Sequence, residues 1–442
     1  MVDVARSRAI LRLALPIIGG MLSQSLMNLV DAAFVGTLGE VPLAGVGLGG
    51  YAMFLVTAVV LGLSSGVQAQ TARRHGESAG AGLAQPLQAG LLIALAVALP
   101  LSLVCVWQAP QLLGLMTPAP EVNEVAAGYF RWRVAALVPI ALIVCFRGYW
   151  NGIQQAHVYL RIILITQALN VAISAGLVFG LAGLPAMGAS GAGAGSAAAV
   201  YLGVLLWAAQ TWRHLPGDRR GGHRRWPPRR VFATTLRLAA PHSFQQLWFA
   251  GGYAVLFWIL AHIGTASVAV GHVLVNLSLL LILPGVGLGL AAMSLVGQAL
   301  GRETPDDAHR WGWDVVRLAW LSLTLLALPM LLFPAEVLGL FLPGSLVEMG
   351  RVPLQLTALM IVLDAAAIVL AQALLGAGAN RTVMLLTLAL QWLLFLPLAW
   401  WVGVVQGYGL LGIWWAQLGY RGLNSLIFAR VWQRRRWQRL AV

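Results

Sequence analysis

Two acids, Asp31 and Asp364, lie well inside long apolar runs, in the strings NLVDAAFVG and MIVLDAAAIV. A charged carboxylate facing hydrocarbon costs at least about 2.5 kcal/mol, so each must face a cavity or carry its proton. The chemistry open to such a group is proton exchange and reversible cation binding. Gln24 and Asn28 precede Asp31 by seven and three residues, which puts all three on one helix face. Gln167, Asn170 and Ser174 form a second polar stripe with intervals of three and four. Ser196 sits in a small-residue run, and Gln245, Gln246, His272 and Asn276 are further polar candidates in apolar surroundings. For these, ordinary interhelical hydrogen bonding competes with a binding role. His242 and His272 titrate near neutral pH when unperturbed, but a lone intramembrane His is more often a satisfied polar contact. Catalytic and metal-ligating patterns are missing: there is no HExxH, no phosphate-binding loop and no Cys/His cluster. Cys105 and Cys145 lie inside apolar segments, without metal-type spacing or a disulfide framework.

The elements that must position these groups follow from composition. The chain has 442 residues, 60% of them apolar and only 10% charged, with a mean hydropathy of +0.82. A soluble domain carries about 25% charged residues. A globule of this size cannot bury so much apolar surface, and disordered chains are poor in apolar residues. The apolar runs are long and continuous rather than alternating, which excludes a transmembrane barrel. The expected fold is an all-α integral membrane protein of twelve transmembrane helices, near 9–38, 44–71, 87–109, 123–148, 156–181, 187–212, 232–262, 267–298, 310–335, 347–375, 380–404 and 410–432. The first run is too long for a cleavable signal peptide.

The net charge is +14, and every one of the 28 basic residues is Arg. They gather in alternate connections: Arg6, Arg8 and Arg12 at the start, then Arg73 and Arg74, Arg161, Arg302 and Arg310, and Arg430 to Arg439 at the end. Seven more (Arg213, Arg219, Arg220, Arg224, Arg225, Arg229, Arg230) fill the connection at 213–230. The opposite connections carry Glu40, Glu121, Glu124, Glu336 and Glu348. This is the positive-inside pattern, and it places both termini in the cytoplasm of a bacterial inner membrane. It also accounts for the basic excess without nucleic acid. The Gly-, Pro- and Arg-rich linker reads as a solvated loop near anionic headgroups. The tail at 430–442 reads as an interfacial segment, with Trp432 and Trp437 at headgroup depth.

A shift of 225 positions aligns the two halves without a gap over residues 16–76. Pro16 meets Pro241, Gly39 meets Gly264, Gly62 meets Gly287, and Gly76 meets Gly301. With a one-residue slip, Gly152 meets Gly376. Six spans per repeat give both halves the same orientation, as parallel repeats about an axis along the membrane normal. The expected domains are a six-helix bundle at 1–212, the linker at 213–230, a second bundle at 231–429 and the tail, with the bundles around a central cleft. Such a pair can rock between inward-open and outward-open states, an arrangement of transporters rather than enzymes.

The run LPIIGGMLSQSLMNLVDAAFVGTLGEVPLAGVGL, followed by GLSSGVQAQTARRHG, resembles the first two spans of the multidrug and toxic compound extrusion (MATE) family. RGYWNGIQQA and the G-x-x-G-A stretch at 188–192 resemble its spans 4 to 6, and HIGTASVAVGHV and LVGQALG its spans 7 and 8. The likeness covers nearly the whole chain and leans to the DinF-like branch. It implies efflux driven by inward movement of H+ or Na+. By the same resemblance Asp31 is the first-span acid, and Pro16 is a proline at which that span bends; a helix-entry role reads as easily for Pro16. The chain also departs from the pattern. Ser174 stands where an acid is expected four residues after Asn170, which leaves Asp31 alone to carry proton chemistry in the first half. Asp364, twelve residues before Gly376, matches an acid of a cation site in the NorM-like branch, but Phe249 replaces the glutamate that would join it. Asp364 is then a second proton or substrate site, or it is paired with a donor such as Arg351 or Gln355.

These readings converge on a monomeric antiporter, not an enzyme, that exports organic, cationic compounds or drugs in exchange for H+. It uses no cofactor beyond the coupling ion, and its partners are those small molecules and the lipid bilayer. The 18 Trp, 13 Phe and 8 Tyr suit an adaptable apolar pocket, although most Trp read as interfacial anchors. The alternatives are Na+ coupling, a lipid-linked precursor flippase of the same superfamily, and a membrane-embedded enzyme.

Overall fold

The computed structural model describes residues 3–78, 82–214 and 226–440, and among them every regular element is helical. Twelve long helical segments follow one another: α1 (Val4–Gly36), α2 (Glu40–Gly76), α3 (Gln85–Gly114), α4 (limbs Pro120–Ala135 and Leu137–Gly152), α5 (Ala156–Phe179) and α6 (Ala189–His214). Then come α7 (Arg229–Ile263), α8 (Thr265–Gly301), α9 (Pro305–Leu332), α10 (Gly344–Gly376), α11 (Asn380–Val405) and α12 (Gly409–Gln433). Among the described residues ten are long and apolar enough to cross a membrane, and the bent α4 makes eleven. The remaining one, α12, has the length, but Gly, Gln, Tyr and Arg dilute its apolar residues. Four of the expected linker arginines, Arg219, Arg220, Arg224 and Arg225, lie outside the described residues.

The expected single helix at 123–148 is broken at Ala136, with a bend of 47°. Pro139 lies at the break, and it has no N–H to offer the carbonyl of Ala135. Side chains take up the freed carbonyls. Ser102 Oγ donates to Val134 O at 2.7 Å, and Tyr201 Oη donates to Ala135 O at 2.9 Å. This is how a helix break is tolerated where water is scarce. In α11 the turns widen to π geometry at Ala389–Phe395 and Trp401–Val405, on either side of Pro397.

The chain forms two compact units, and they do not divide at the linker. One joins Gly19–Ser243, and the other joins Met1–Ile18 to Phe244–Val442. The expected boundaries at 212 and 231 are therefore displaced, and packing explains why. The first turns of α7 belong with α2: Gly62 and Gly66 of α2 lie against the backbone carbonyls of Ala239 and Thr235. Gln70 Nε2 donates to Thr235 Oγ1 at 2.7 Å, and His242 Nδ1 lies 2.8 Å from Ser65 Oγ. The first turns of α1 belong with α8 and α9 in the other unit. Gly287 lies against Ile18, while Arg6 pairs with Asp314 at 2.6 Å and with Asp307 at 2.7 Å.

The sequence repeat is carried by equivalent contacts within each unit. Gly62 meets Ser243, and Gly287 meets Ile18, the residue equivalent to Ser243 under the 225-residue shift. Gly152 meets the Gln68 carbonyl, and Gly376 meets the equivalent Met293 carbonyl. Gly39 and Gly264, which start α2 and α8, hold φ of 120° and 151°, a region that favours glycine. The repeated glycines are thus close-approach and turn positions, as small residues at helix interfaces should be.

The tail corrects another expectation. Trp432 and Trp437 are buried and stacked on each other, with ring centroids 4.0 Å apart, rather than exposed on the surface. Gly312 of α9 leaves room for Trp432, and Arg435 holds the tail on Asp306 at 2.5 Å. Trp150, Trp207 and Trp414 are also core residues rather than interfacial anchors.

Candidate functional site

In the unit Gly19–Ser243, Asp31 is 7% exposed. Its Oδ2 accepts from Ser196 Oγ at 3.2 Å and from Asn170 Nδ2 at 3.5 Å. Ser174 Oγ donates to Asn170 Oδ1 at 2.9 Å and so orients that amide. Gln167 Nε2 donates to Gln24 Oε1 at 2.9 Å, seven residues before Asp31. Two polar stripes, on α1 and α5, are joined, and α6 contributes Ser196. Asn28 keeps its place on the α1 face but is exposed and makes no hydrogen bond to this group.

The small-residue run of α6 makes this meeting possible. A β-carbon at Gly195 would strike Ser174, and one at Gly191 would lie 2.5 Å from Leu177 O. The α5 and α6 backbones approach closely, so short side chains such as Ser174 and Ser196 reach the same carboxyl. One oxygen of that carboxyl, Asp31 Oδ1, is buried and has no hydrogen-bond partner. A buried carboxylate left with an unsatisfied oxygen is costly, and binding a proton or a cation relieves that cost. Arg133 on α4 is near enough for its charge to act on Asp31. Nothing in its spacing marks Arg133 as a partner, since it lies inside the expected helix at 123–148, on a different span from Asp31.

In the other unit, Asp364 is 2% exposed and fully engaged. Its Oδ2 lies 2.6 Å from Arg421 Nη1, and its Oδ1 accepts from Asn424 Nδ2 at 2.9 Å. The expected partners were different residues. Arg351 pairs with Glu348 at 3.6 Å, and Gln355 Nε2 donates to Leu331 O at 3.1 Å. Arg421 stands at the middle of α12. The remaining candidates of this unit are not bonded to Asp364. Gln245 Nε2 reaches Thr387 Oγ1 at 3.4 Å, Asn276 Nδ2 lies 3.0 Å from His272 Nε2, and Gln246 is half-buried beside Gln245. Arg421, Gln391, Gln417 and the rings of Phe249, Tyr253, Phe395 and Tyr420 line a narrow pocket in this unit.

No group of three or more His, Cys, Asp or Glu gathers to hold a metal among the described residues. One string, Gly62-Leu63-Ser64-Ser65-Gly66, has the G-x-S-x-G spacing of a nucleophile elbow. It lies inside the continuous helix α2, not at the strand-to-helix turn that the chemistry needs. Pro16 also lies within a continuous helix, two residues before the boundary between units.

The MatE family model matches residues 16–175 and 241–401. The chain belongs to the MatE family. The two matched segments begin on Pro16 and Pro241, the pair that starts the internal repeat. Among curated MatE-like relatives, the probable multidrug resistance protein NorM of Pseudomonas aeruginosa is 28% identical over 423 residues, covering 93% of this chain and 86% of that protein. The multidrug resistance protein PmpM of the same organism is 26% identical over 422 residues, covering 93% and 87%. The fold is similar to an outward-facing multidrug resistance MATE family transporter of the MOP superfamily, with a TM-score of 0.89 at 21% identity over 99% of this chain and 97% of that one. It is also similar to a MOP superfamily transporter from Pyrococcus furiosus, with a TM-score of 0.87 at 21% identity over 97% and 96%. At those identities the structures speak to the fold alone. Membership in MatE makes the chain a multi-pass membrane transporter rather than an enzyme.

Proposed function

We propose that this MatE protein exports organic cations and drugs in exchange for protons, and that Asp31 is the coupling carboxyl. The observation that carries the reading is the contrast between the two candidate acids, Asp31 and Asp364, both buried. Asp31 keeps one oxygen without a partner and is held by neutral donors, whereas Asp364 is committed to Arg421 and Asn424. A group that must change partners during a cycle cannot be tied up in a buried ion pair. Protonation of Asp31 neutralises it and weakens its hold on a cationic ligand. Only such a difference in binding between two states can drive exchange.

The multidrug resistance names of the NorM and PmpM relatives support drugs as the substrate class. Proton rather than Na+ coupling is favoured because each unit offers a single buried acid from the candidate set, and the second is neutralised by Arg421. A Na+ site wants several oxygen ligands with more than one carboxylate in reach. Arginine-rich connections support an inner-membrane location with both termini cytoplasmic. The protein works as a monomer in the bilayer, with no cofactor besides the coupling ion.

The test is efflux of a fluorescent cation from proteoliposomes, under a pH gradient and separately under a Na+ gradient. The pH gradient is expected to drive export by the wild type but not by Asp31→Asn. Export driven by the Na+ gradient alone would replace the proton in this scheme.

A further inference from the structure

The unit Gly19–Ser243 contains two buried atoms that lack partners and belong to groups of opposite charge: Asp31 Oδ1 and Arg133 Nε. Their helices bring them level. Val35 of α1 and Tyr129 of α4 belong to one small apolar cluster with Val46, Val178, Ala189 and Ala192. Asp31 is one turn before Val35. Arg133 is one turn after Tyr129, and its guanidinium carbon lies 6.0 Å from the Tyr129 ring centroid. As first and fourth spans of an up-and-down bundle, the two helices run in opposite directions. One step back along α1 therefore matches one step forward along α4. The same stretch of α4 abuts α6: a β-carbon at Gly193 would lie 2.8 Å from Tyr129 O, three residues before the Ser196 that donates to Asp31. Among the described residues, the groups acting on Asp31 are Asn170 on α5, Ser196 on α6 and Arg133 on α4, with Ser174 behind Asn170. Arg133 is the charged one.

We propose that Arg133 is a positioning residue for the proton site, holding the Asp31 carboxylate during the part of the cycle when its proton has left. The inference rests on the reading of Asp31 as the coupling carboxyl. A deprotonated acid in a nearly dry site needs a counter-charge, and the neutral amide and hydroxyl donors supply none. Arg133 supplies it without contacting Asp31 in the state observed here, where its guanidinium rests toward Tyr129. A cationic substrate and Arg133 then compete for one carboxylate, so that release of the substrate hands the charge to Arg133 rather than leaving it bare. Ser174, Ser196 and Asn170 set the carboxyl's place; Arg133 sets the pH at which it gives up its proton.

The test is the pH dependence of dye efflux in proteoliposomes for the wild type, Arg133→Lys and two neutral variants, Arg133→Gln and Arg133→Met. Removing a nearby cation makes protonation of a carboxyl easier. The neutral variants should therefore move the midpoint to higher pH by about one unit, a tenfold change in proton concentration. Arg133→Lys should hold the wild-type midpoint. A neutral variant with an unmoved midpoint overturns the proposal. Should neither neutral variant transport, thermal unfolding decides through a cycle with Asp31→Asn. Loss of stability at alkaline pH only when Asp31 is present supports the pairing, and an equal loss in both backgrounds overturns it. Efflux by Asp31→Asn that still follows the pH gradient would instead sink the reading of Asp31 itself, whatever Arg133 does.

Discussion

Arg421 reaches Asp364 across 57 residues of sequence, with Nη1 2.6 Å from Oδ2, Asp364 buried and Arg421 nearly so. Asn424 completes the carboxylate by donating to its other oxygen at 2.9 Å. The contrast with Asp31 governs the account, since two acids that look alike in sequence have opposite freedom. Removing one partner of a buried pair leaves the other charge uncompensated, at a cost of roughly 3–5 kcal/mol. Asp364→Asn should therefore lower the unfolding temperature sharply in detergent. Asp364→Asn combined with Arg421→Gln should recover most of the loss, because both charges are then gone. A double variant no more stable than the single would mean that the pair is not what holds α10 to α12.

The stacked tail makes a second prediction. Trp437 is 2% exposed, lies flat on Trp432, and donates from Nε1 to Trp432 O at 2.9 Å. Trp437→Ala removes this ring from a packed site and should cost about 3 kcal/mol. A tail lying loosely at the headgroups would lose almost nothing, so differential scanning fluorimetry separates the two.

The repeated close approaches should differ in severity. A β-carbon at Gly376 would run into the backbone carbonyl of Met293, which cannot rotate away. A β-carbon at Gly152 would lie 2.9 Å from Thr71 Cβ and 3.0 Å from Gln68 O, a milder approach. Gly376→Ala is expected to reduce the yield of monodisperse protein more than Gly152→Ala does. Equal yields would remove the argument that backbone proximity fixes these positions.

Gly195→Ala should act on the site rather than on the fold at large. Its added methyl would meet Ser174, forcing α6 away from α5 and carrying Ser196 off Asp31. The expected result is a several-fold loss of transport rate with most of the folded protein retained. An unchanged rate would show that the Ser196 hydrogen bond does not matter to exchange.

Much of this was legible in the sequence for physical reasons. Long apolar runs and Arg-rich connections reveal helices, because the bilayer demands both. Asp31, Asn170 and Ser174 stood out because polar groups in apolar helices need partners, and helical spacing put each on a polar face of its span; Ser196 stood out as a polar residue in a small-residue run. The glycine register foretold close helix contacts. Arg421 and Arg133 were not legible as partners: a pair between distant helices leaves no spacing signal in one chain. The division into units was hidden too, since α1 and α7 are each one continuous helix that contributes to both units. The break in α4 depended on Pro139, whose effect was masked by the apolar residues around it.

The most direct test of the central claim follows the proton itself. Substrate-driven proton movement can be recorded with a pH-sensitive dye trapped in proteoliposomes, for the wild type and for Asp31→Asn at matched protein density. The account predicts that adding a transported organic cation moves protons through the wild type and moves none through the variant. Undiminished proton movement in Asp31→Asn would contradict it.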